Sequence, residues 1–249
     1  MAREEIKTET VADHPESSTG TLASIICKPW DQVDRPQKMM AADEIARRIG
    51  FPSEYIPRWF DGYHKDVEAR LTSMIVPSKF RLSSVLLAGP VGTGKTSMLC
   101  AMFKGWFLNL CNQRDAEKRA DTIGTVGNFI SGTARAAIFM SFNDYINMVM
   151  AEIDPEKDSP GVCTEDLRNI PLLIFDNLLD PVPSPFQLSR LDYLMSCRYE
   201  ERLPTWMTTN CEQAVLGNWP GFERSYDRFK DKNWCRYFEL TGASRRSKT

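Results

Sequence analysis

Eight consecutive residues have the types and spacing of a phosphate-binding loop. They are Gly89-Pro90-Val91-Gly92-Thr93-Gly94-Lys95-Thr96, which follows the pattern GxxxxGK(S/T). Glycines let a backbone adopt positive φ and approach phosphate closely, and the loop amides and the following helix N-terminus then surround the phosphate oxygens. The lysine places a positive charge on the terminal phosphates, and the threonine hydroxyl binds Mg²⁺. The motif predicts a site for ATP and Mg²⁺, with Ser97 as the last residue of the binding segment.

Such a site needs a carboxylate at the end of a neighbouring strand. Residues 171–176, PLLIFD, form an apolar run that ends in Asp176. In phosphate-loop enzymes, Mg²⁺ is held by the loop Ser or Thr and by an acid of this kind. Aspartate also caps many strands without binding a metal. Given the phosphate loop, we predict that Thr96 and Asp176 are the metal ligands.

The residue after this aspartate departs from the usual pattern. Many phosphate-loop ATPases have Asp or Glu at this position to orient the attacking water, whereas this chain has Asn177. An amide can hydrogen-bond to water but cannot accept its proton. Asp180 is close in sequence, but the sequence does not show whether its carboxylate can contact the attacking water. We therefore expect ATP to be bound and hydrolysed slowly, and an adaptor that binds ATP without hydrolysis stays open.

Strands and helices alternate from about residue 80 onward, which predicts how these residues are positioned. Apolar runs predict strands over 84–88, 136–140, 170–175 and 205–208. Helical patterns follow over 95–112, 143–153 and 187–201, the second with Asn143 as its N-cap. This alternation is typical of a mostly parallel sheet with helices on both faces. The expected fold is an α/β P-loop NTPase, a three-layer sandwich.

Composition excludes several classes of protein. The chain has 249 residues, of which 42% are hydrophobic and 26% charged, with a formal net charge of −2. It lacks an apolar run long enough to cross a bilayer, a secretory signal and the strong basicity of many nucleic-acid-binding proteins. Its seven cysteines contain no CxxC pair. We expect a cytoplasmic protein with reduced thiols and no membrane partner.

Changes in composition predict four segments along the chain. They are a flexible, polar and acidic arm over 1–37, a helical, aromatic-rich lead-in over 38–79, a phosphate-loop core over 80–215 and a basic segment over 216–249. Helices are predicted over 38–48 and 65–74, and a surface insertion over 114–134. The aromatic residues between Phe51 and Tyr63 are expected mainly to pack between these helices and the sheet. His14 and His64 have no partner motif, so we assign neither a catalytic nor a metal-binding role.

Three segments together carry a resemblance to a known family. The phosphate loop, LLIFDN at 172–177 and RYEERLPTWMTTN at 198–210 resemble the AAA+ ATPases of the DnaC/DnaI helicase-loader and IstB transposition-helper group. The resemblance covers about residues 50–246. It implies that Asn210 is the sensor-1 residue, which orients a water beside the γ-phosphate. Without the resemblance, Asn210 reads as a cap before the next helix.

The resemblance also implies roles for arginines near the C-terminus. Residues 223–229, ERSYDRF, are similar to the family's arginine-finger segment, with Arg228 as the best match and Arg224 as the alternate. Such a finger enters a neighbouring subunit's ATP site and stabilises charge on the phosphates. Asp227 stands where the family prefers Ser, and a solvated helix face of mixed charge is the alternative reading.

The last residues of the chain resemble the family's terminal G-x-S-x-R motif. The match is GASRR at 242–246, which makes Arg246 the sensor-2 candidate. Only three residues follow it, so we expect no long helical lid. A simple basic tail is the alternative reading. The predicted catalytic residues are thus Lys95, Asp176, Asn210, Arg228 and Arg246.

By this resemblance, the leading function is ATP-dependent loading or remodelling of a replicative DNA helicase. The protein would form a homo-oligomer with ATP at its subunit boundaries, and single-stranded DNA would be a second partner. An IstB-like transposition helper on duplex DNA has the same fold and stays an alternative. A phosphate-loop kinase for a small molecule is a third reading, although the Thr-Thr-Asn strand end and the GASRR segment have no natural place in it.

Overall fold

The computed structural model describes residues 22, 25, 28–75, 82–117, 136–153 and 163–245. A short 3₁₀ turn covers Trp30–Gln32. The α-helices of the described residues are α1 (Arg35–Arg48), α2 (Lys65–Ile75), α3 (Lys95–Glu117), α4 (Phe142–Ile153), α5 (Thr164–Asn169), α6 (Pro185–Glu200), α7 (Gln213–Gly217) and α8 (Glu223–Lys230). The strands are β1 (Ser84–Ala88), β2 (Ala137–Ser141), β3 (Leu172–Asp176), β4 (Thr205–Thr209) and β5 (Cys235–Glu239).

The five strands form one sheet in the order β2-β3-β4-β1-β5, and every described pair is parallel. The predicted α/β class with a parallel sheet is therefore confirmed. Strand β4 lies between β1 and β3. Because the carboxyl ends of parallel strands meet at one edge, the residues that follow these three strands share that edge. This topology brings the phosphate loop, Asp176 and Asn210 to the same side of the molecule.

Helices cover both faces of the sheet and form two hydrophobic cores. On β1, Val85 and Leu87 belong to the core under α1, α2 and α3, whereas Leu86 belongs to the core under the later helices. Strands buried on both faces read as continuous apolar runs, which is why the sequence predicted β1 and β3 well. The ring of Phe51 packs in the first core, 4.4 Å from that of Phe139 between centroids. Within the described part of the chain, no helix combines the length and apolar character needed to span a membrane.

Several predicted boundaries need correction. Asn143 is not the N-cap of α4, which begins at Phe142. Ser141 takes that role, because its hydroxyl oxygen accepts a hydrogen bond from the Asp144 amide at 3.1 Å. Strand β5 was not predicted, because its five residues, CRYFE, form neither an apolar run nor a strict alternation of polar and apolar residues. The first 21 residues of the predicted arm and most of the predicted insertion, residues 118–134, lie outside the described residues. The segment boundaries stay predictions.

Arg198 fixes the helical layer against the start of β4. It is fully buried near the end of α6. Its guanidinium donates to the carbonyl oxygens of Leu167 at 2.7 Å, Ile170 at 2.8 Å and Pro204 at 2.6 Å. Its Nε donates to the Thr205 hydroxyl at 2.9 Å. The arginine thus satisfies the carbonyls at the end of α5 and holds the chain where β4 begins.

We expect Arg198→Met to lower the free energy of unfolding by about 3–5 kcal/mol, because the carbonyl oxygens of Leu167, Ile170 and Pro204 all lose the guanidinium as a donor. Urea unfolding followed by circular dichroism measures the change. Arg202→Met is the matched control. That side chain is 42% exposed and pairs with Asp231 at 3.3 Å, so its loss should cost less than about 1 kcal/mol. Equal midpoints for the two variants would contradict a structural role for Arg198.

Candidate functional site

The loop between β1 and α3 has a backbone that depends on glycine. Gly92 and Gly94 have φ of 84° and 91°, values that other residues rarely adopt. The loop closes on itself, because the buried Thr93 hydroxyl donates to the Pro90 carbonyl oxygen at 2.9 Å. At Gly89, a Cβ would lie 2.2 Å from the Leu240 carbonyl oxygen. These positions therefore cannot carry side chains without moving the loop.

Lys95 places its charge inside this loop. The side chain is 5% exposed, and its Nζ donates to the carbonyl oxygens of Gly89 at 2.8 Å and Pro90 at 2.9 Å. It is also the first residue of α3, so the ammonium and the positive end of a 23-residue helix lie together. An ammonium, a helix N-terminus and a glycine-rich turn form a donor set that fits phosphate.

Asp176 lies beside this helix start. It is 7% exposed, and its Oδ1 accepts hydrogen bonds from the Thr96 hydroxyl at 2.8 Å and the Thr208 hydroxyl at 2.6 Å. Burial raises the pKa of the carboxyl, although the hydrogen bonds from Thr208 and Thr96 and the charge of Lys95 act against that rise. The structure thus brings together Thr96 and Asp176, the two predicted metal ligands. A carboxylate and a hydroxyl supply oxygen ligands of the kind that Mg²⁺ prefers.

Thr208 is a component of the site that sequence reasoning missed. Its hydroxyl donates to Asp176, and its oxygen accepts the backbone N–H of Asn177 at 2.8 Å. One side chain on β4 thus orients both the carboxylate and the residue after it. The Thr-Thr-Asn strand end was visible in the sequence, but only the strand pairing shows which threonine faces Asp176.

We expect Thr208→Val to lower the free energy of unfolding by about 1–3 kcal/mol, since it leaves the Asn177 amide without its partner. It should also raise the Mg²⁺ concentration for half-maximal nucleotide binding by roughly tenfold, because the Asp176 carboxylate loses its orienting bond. Thr209→Val is the control, since its hydroxyl bonds instead to the Leu178 carbonyl at 3.0 Å. Titration of a fluorescent nucleotide with Mg²⁺ measures the effect. An equal Mg²⁺ requirement in both variants would contradict the role of Thr208.

A tight turn follows Asp176 and leads to Asp180. Asn177 and Leu179 have positive φ of 56° and 65°, and the Asp180 amide donates to the Asn177 carbonyl oxygen at 2.9 Å. The Asp180 carboxylate then accepts a hydrogen bond from the side-chain amide of Asn210 at 3.3 Å. The sequence did not show which groups the Asp180 carboxylate contacts, and the structure shows that it contacts Asn210, the sensor-1 candidate.

The two candidate arginine fingers differ in their surroundings. The Arg228 side chain is 16% exposed, and its guanidinium donates to the Asp192 carboxylate at 3.3 Å. It also lies 5.8 Å from the centre of the Tyr199 ring. Arg224 is exposed and forms no ion pair with any side chain in the described ranges. The sensor-2 candidate Arg246 lies outside the described residues.

Residues 242–245 pack against the outside of the phosphate loop. The Arg245 amide donates to the Gly92 carbonyl oxygen at 2.9 Å, and a Cβ on Gly92 would lie 2.0 Å from the Ser244 hydroxyl. The Arg245 guanidinium pairs with Asp61 and lies 4.8 Å from the centre of the Tyr63 ring. Burial alone would raise the pKa of Asp61, but the Arg245 guanidinium brings it below its ordinary value.

His64 also contacts the phosphate loop, which the sequence did not predict. Its Nε2 lies 2.9 Å from the Thr93 carbonyl oxygen, within hydrogen-bond distance of the loop. Its ring also meets that of Tyr63 edge-on at 4.7 Å. A lone histidine has no local pattern that reveals such a contact. Residues 61–64 therefore join residues 242–245 in bracing the loop.

Comparison with known proteins shows likeness at the level of structure. No protein-family model and no curated protein sequence matches the chain. A solved structure from Streptococcus pyogenes serotype M3, assigned to the primosome, is 21% identical with a TM-score of 0.52, over 82% of this chain and 98% of that one. The structure of DnaI is 16% identical with a TM-score of 0.51, over 79% and 94%. The DnaC helicase loader is 17% identical with a TM-score of 0.55, over 76% and 100%. These likenesses confirm the fold that the sequence resemblance implied.

Proposed function

Because the chain has the AAA+ fold of the DnaC and DnaI group, we propose that it is an ATP-binding protein that loads or remodels a replicative DNA helicase. The observation that carries the nucleotide part is the contact between Thr96 and Asp176 beside the buried Lys95. It joins the loop that would hold the phosphates to the acid that would share their metal ion. In this proposal the protein acts as a homo-oligomer with ATP at its subunit boundaries.

The residues of the site divide the work between them. Lys95 and the amides of residues 89–97 hold the triphosphate, while Thr96 and Asp176 hold the metal. Thr208 keeps the Asp176 carboxylate oriented through its 2.6 Å hydrogen bond. Bound Mg²⁺ supplies neutralisation of charge on the phosphates. Asn210 directly follows β4, and in this proposal its side-chain amide orients a water.

The arginine finger of this proposal is Arg224. The guanidinium of an arginine finger must be accessible to a neighbouring subunit. Arg224 is the exposed member of the candidate pair, whereas Arg228 is bonded to Asp192. An exposed guanidinium on α8 is free to enter the ATP site of a second copy and to stabilise charge on the phosphates. The sequence resemblance favoured Arg228, and the geometry favours the alternate.

The helicase and DNA partners rest on the likeness to the DnaC helicase loader. We expect ATP to promote self-association of the purified chain, and the assembled form to bind single-stranded DNA and the replicative helicase of the same organism. Sedimentation with ATP or ADP, with each partner added, tests this. Saturable ATP binding without any response to helicase or single-stranded DNA would retain the nucleotide site and overturn the loader. Regular coating of duplex DNA would instead support the transposition helper.

A second candidate function has one observation in its favour. The residue after Asp176 is Asn177, whose amide cannot accept a proton. An adaptor that binds ATP, assembles and never hydrolyses it would need no carboxylate there. Measurement of phosphate release by the assembled protein separates the two, because an adaptor will release no more than a Lys95→Ala variant.

A further inference from the structure

We propose that Asp180 is the carboxylate that positions and deprotonates the attacking water, the task that Asn177 cannot perform. The inference rests on the proposed function, since it requires ATP at the phosphate loop. It concerns a residue four positions after Asp176 in the turn that leaves β3. Three features support it. They are the hydrogen bonds that hold the turn, the position of Asp180 beside Asn210, and the other partners or roles of the neighbouring acids.

Hydrogen bonds to the backbone and the threonine hydroxyls of β4 hold the turn in place. The Asn177 amide donates to the Thr208 hydroxyl at 2.8 Å, and the Leu178 amide donates to the Thr208 carbonyl oxygen at 2.7 Å. The Thr209 hydroxyl donates to the Leu178 carbonyl oxygen at 3.0 Å. Leu178 and Leu179 are buried in the second core. Asp180 therefore has a defined position relative to the strand ends, as a catalytic carboxylate requires.

Asn210 connects Asp180 to the phosphate loop. Its amide donates to the Asp180 carboxylate at 3.3 Å. The residue before it, Thr209, accepts the Gly89 amide at 3.3 Å, so β4 directly adjoins the start of the loop. A water beside this pair would have a donor in the second N–H of the Asn210 side-chain amide and an acceptor in the Asp180 carboxylate. This pairing gives the sensor-1 candidate a partner on the chain itself.

The other acids beside the loop have other partners or another proposed role. Asp176 accepts bonds from two hydroxyls and is the proposed metal ligand. Asp61 is paired with Arg245. Asp180 is exposed, and within the described ranges no lysine or arginine pairs with it. Its second oxygen and remaining lone pairs are therefore available to water.

The proposed step is in-line hydrolysis. The water oxygen forms a bond to the γ-phosphorus as the bond from that phosphorus to the bridging oxygen breaks, and ADP leaves with the electron pair. The proton of the water passes to the Asp180 carboxylate, which later releases it to solvent. A general base contributes roughly 10²–10⁴-fold to such a step.

The test compares Asp180→Asn with Glu212→Gln, a neutralised exposed acid in the next loop. Both are measured in the full chain at concentrations where the wild type is assembled. We expect Asp180→Asn to bind ATP within twofold of wild type and to lose at least about 100-fold in single-turnover hydrolysis. Its affinity for ADP with aluminium fluoride, which mimics the transferring phosphoryl group, should also fall, while binding of ADP alone stays unchanged. Glu212→Gln should match the wild type in all assays.

Each outcome separates the inference from the proposed function. Absence of ATP binding by the folded wild type would overturn both. Tight ATP binding with no hydrolysis above the Lys95→Ala level, or hydrolysis by Asp180→Asn at the wild-type rate, would overturn the role of Asp180 alone. Asp180→Ser is a second variant with the same predicted loss should the first fail to fold. Asp180→Glu keeps a carboxylate and should retain part of the rate.

Discussion

Replacing Lys95 with alanine will weaken ATP binding by roughly 100-fold, the loss expected for a charged hydrogen-bond donor facing phosphate. The ammonium is buried at the centre of the loop and bonded to the carbonyl oxygens of Gly89 and Pro90. No other lysine or arginine in the described ranges donates to those two carbonyls. Isothermal calorimetry with ATP and Mg²⁺ measures the change.

Lys232→Ala is the control for this experiment. Lys232 is an exposed lysine between α8 and β5, away from the loop, and its removal should leave the ATP affinity unchanged. Thermal unfolding of both variants checks that the fold persists. Equal ATP affinities for Lys95→Ala and Lys232→Ala, on folded protein, would contradict the assignment of the loop.

Arg224→Ala will reduce ATP turnover by the assembled protein by about 1,000-fold, since an arginine finger contributes 10³–10⁵-fold in related chemistry. ATP binding to the monomer should not change, because Arg224 would act on a neighbour's site. Arg228→Ala should instead lower the free energy of unfolding by about 1 kcal/mol, because it removes the bond to Asp192. Phosphate release and urea unfolding measure the two effects.

Mixing variants shows whether the arginine acts between subunits. A Lys95→Ala subunit keeps Arg224, and an Arg224→Ala subunit keeps an intact phosphate loop. We expect a mixture of the two to recover part of the turnover that each lacks alone. Loss of turnover in Arg228→Ala with none in Arg224→Ala would restore the assignment that the sequence resemblance favoured.

The parts of the site that sequence predicts are those with a local pattern. The phosphate loop is contiguous, and Asp176 ends an apolar run, so each was visible by itself. Their meeting followed from the rule that parallel strands end at a common edge, and the Thr96–Asp176 contact at 2.8 Å agrees with it. The end of α3 was predicted five residues early, because its charged final turn lacks an apolar stripe.

Contacts between single residues that belong to no motif could not be predicted. His64 on Thr93 and Asp61 on Arg245 join single residues whose neighbours carry no motif. The choice between Arg224 and Arg228 depends on Asp192, a residue on another helix. These contacts depend on how the helices and loops pack together, and no local sequence pattern predicts them.

The packing of Ser244 against Gly92 changes how a mutational scan of this protein should be interpreted. Any side chain at Gly92 must displace Ser244 as well as strain the backbone. A defective Gly92 variant would therefore not show whether the phosphate loop itself was damaged or residues 242–245 were displaced from it. Lys95→Ala removes side-chain atoms and does not push Ser244 aside, which makes it the cleaner diagnostic of nucleotide dependence in cells.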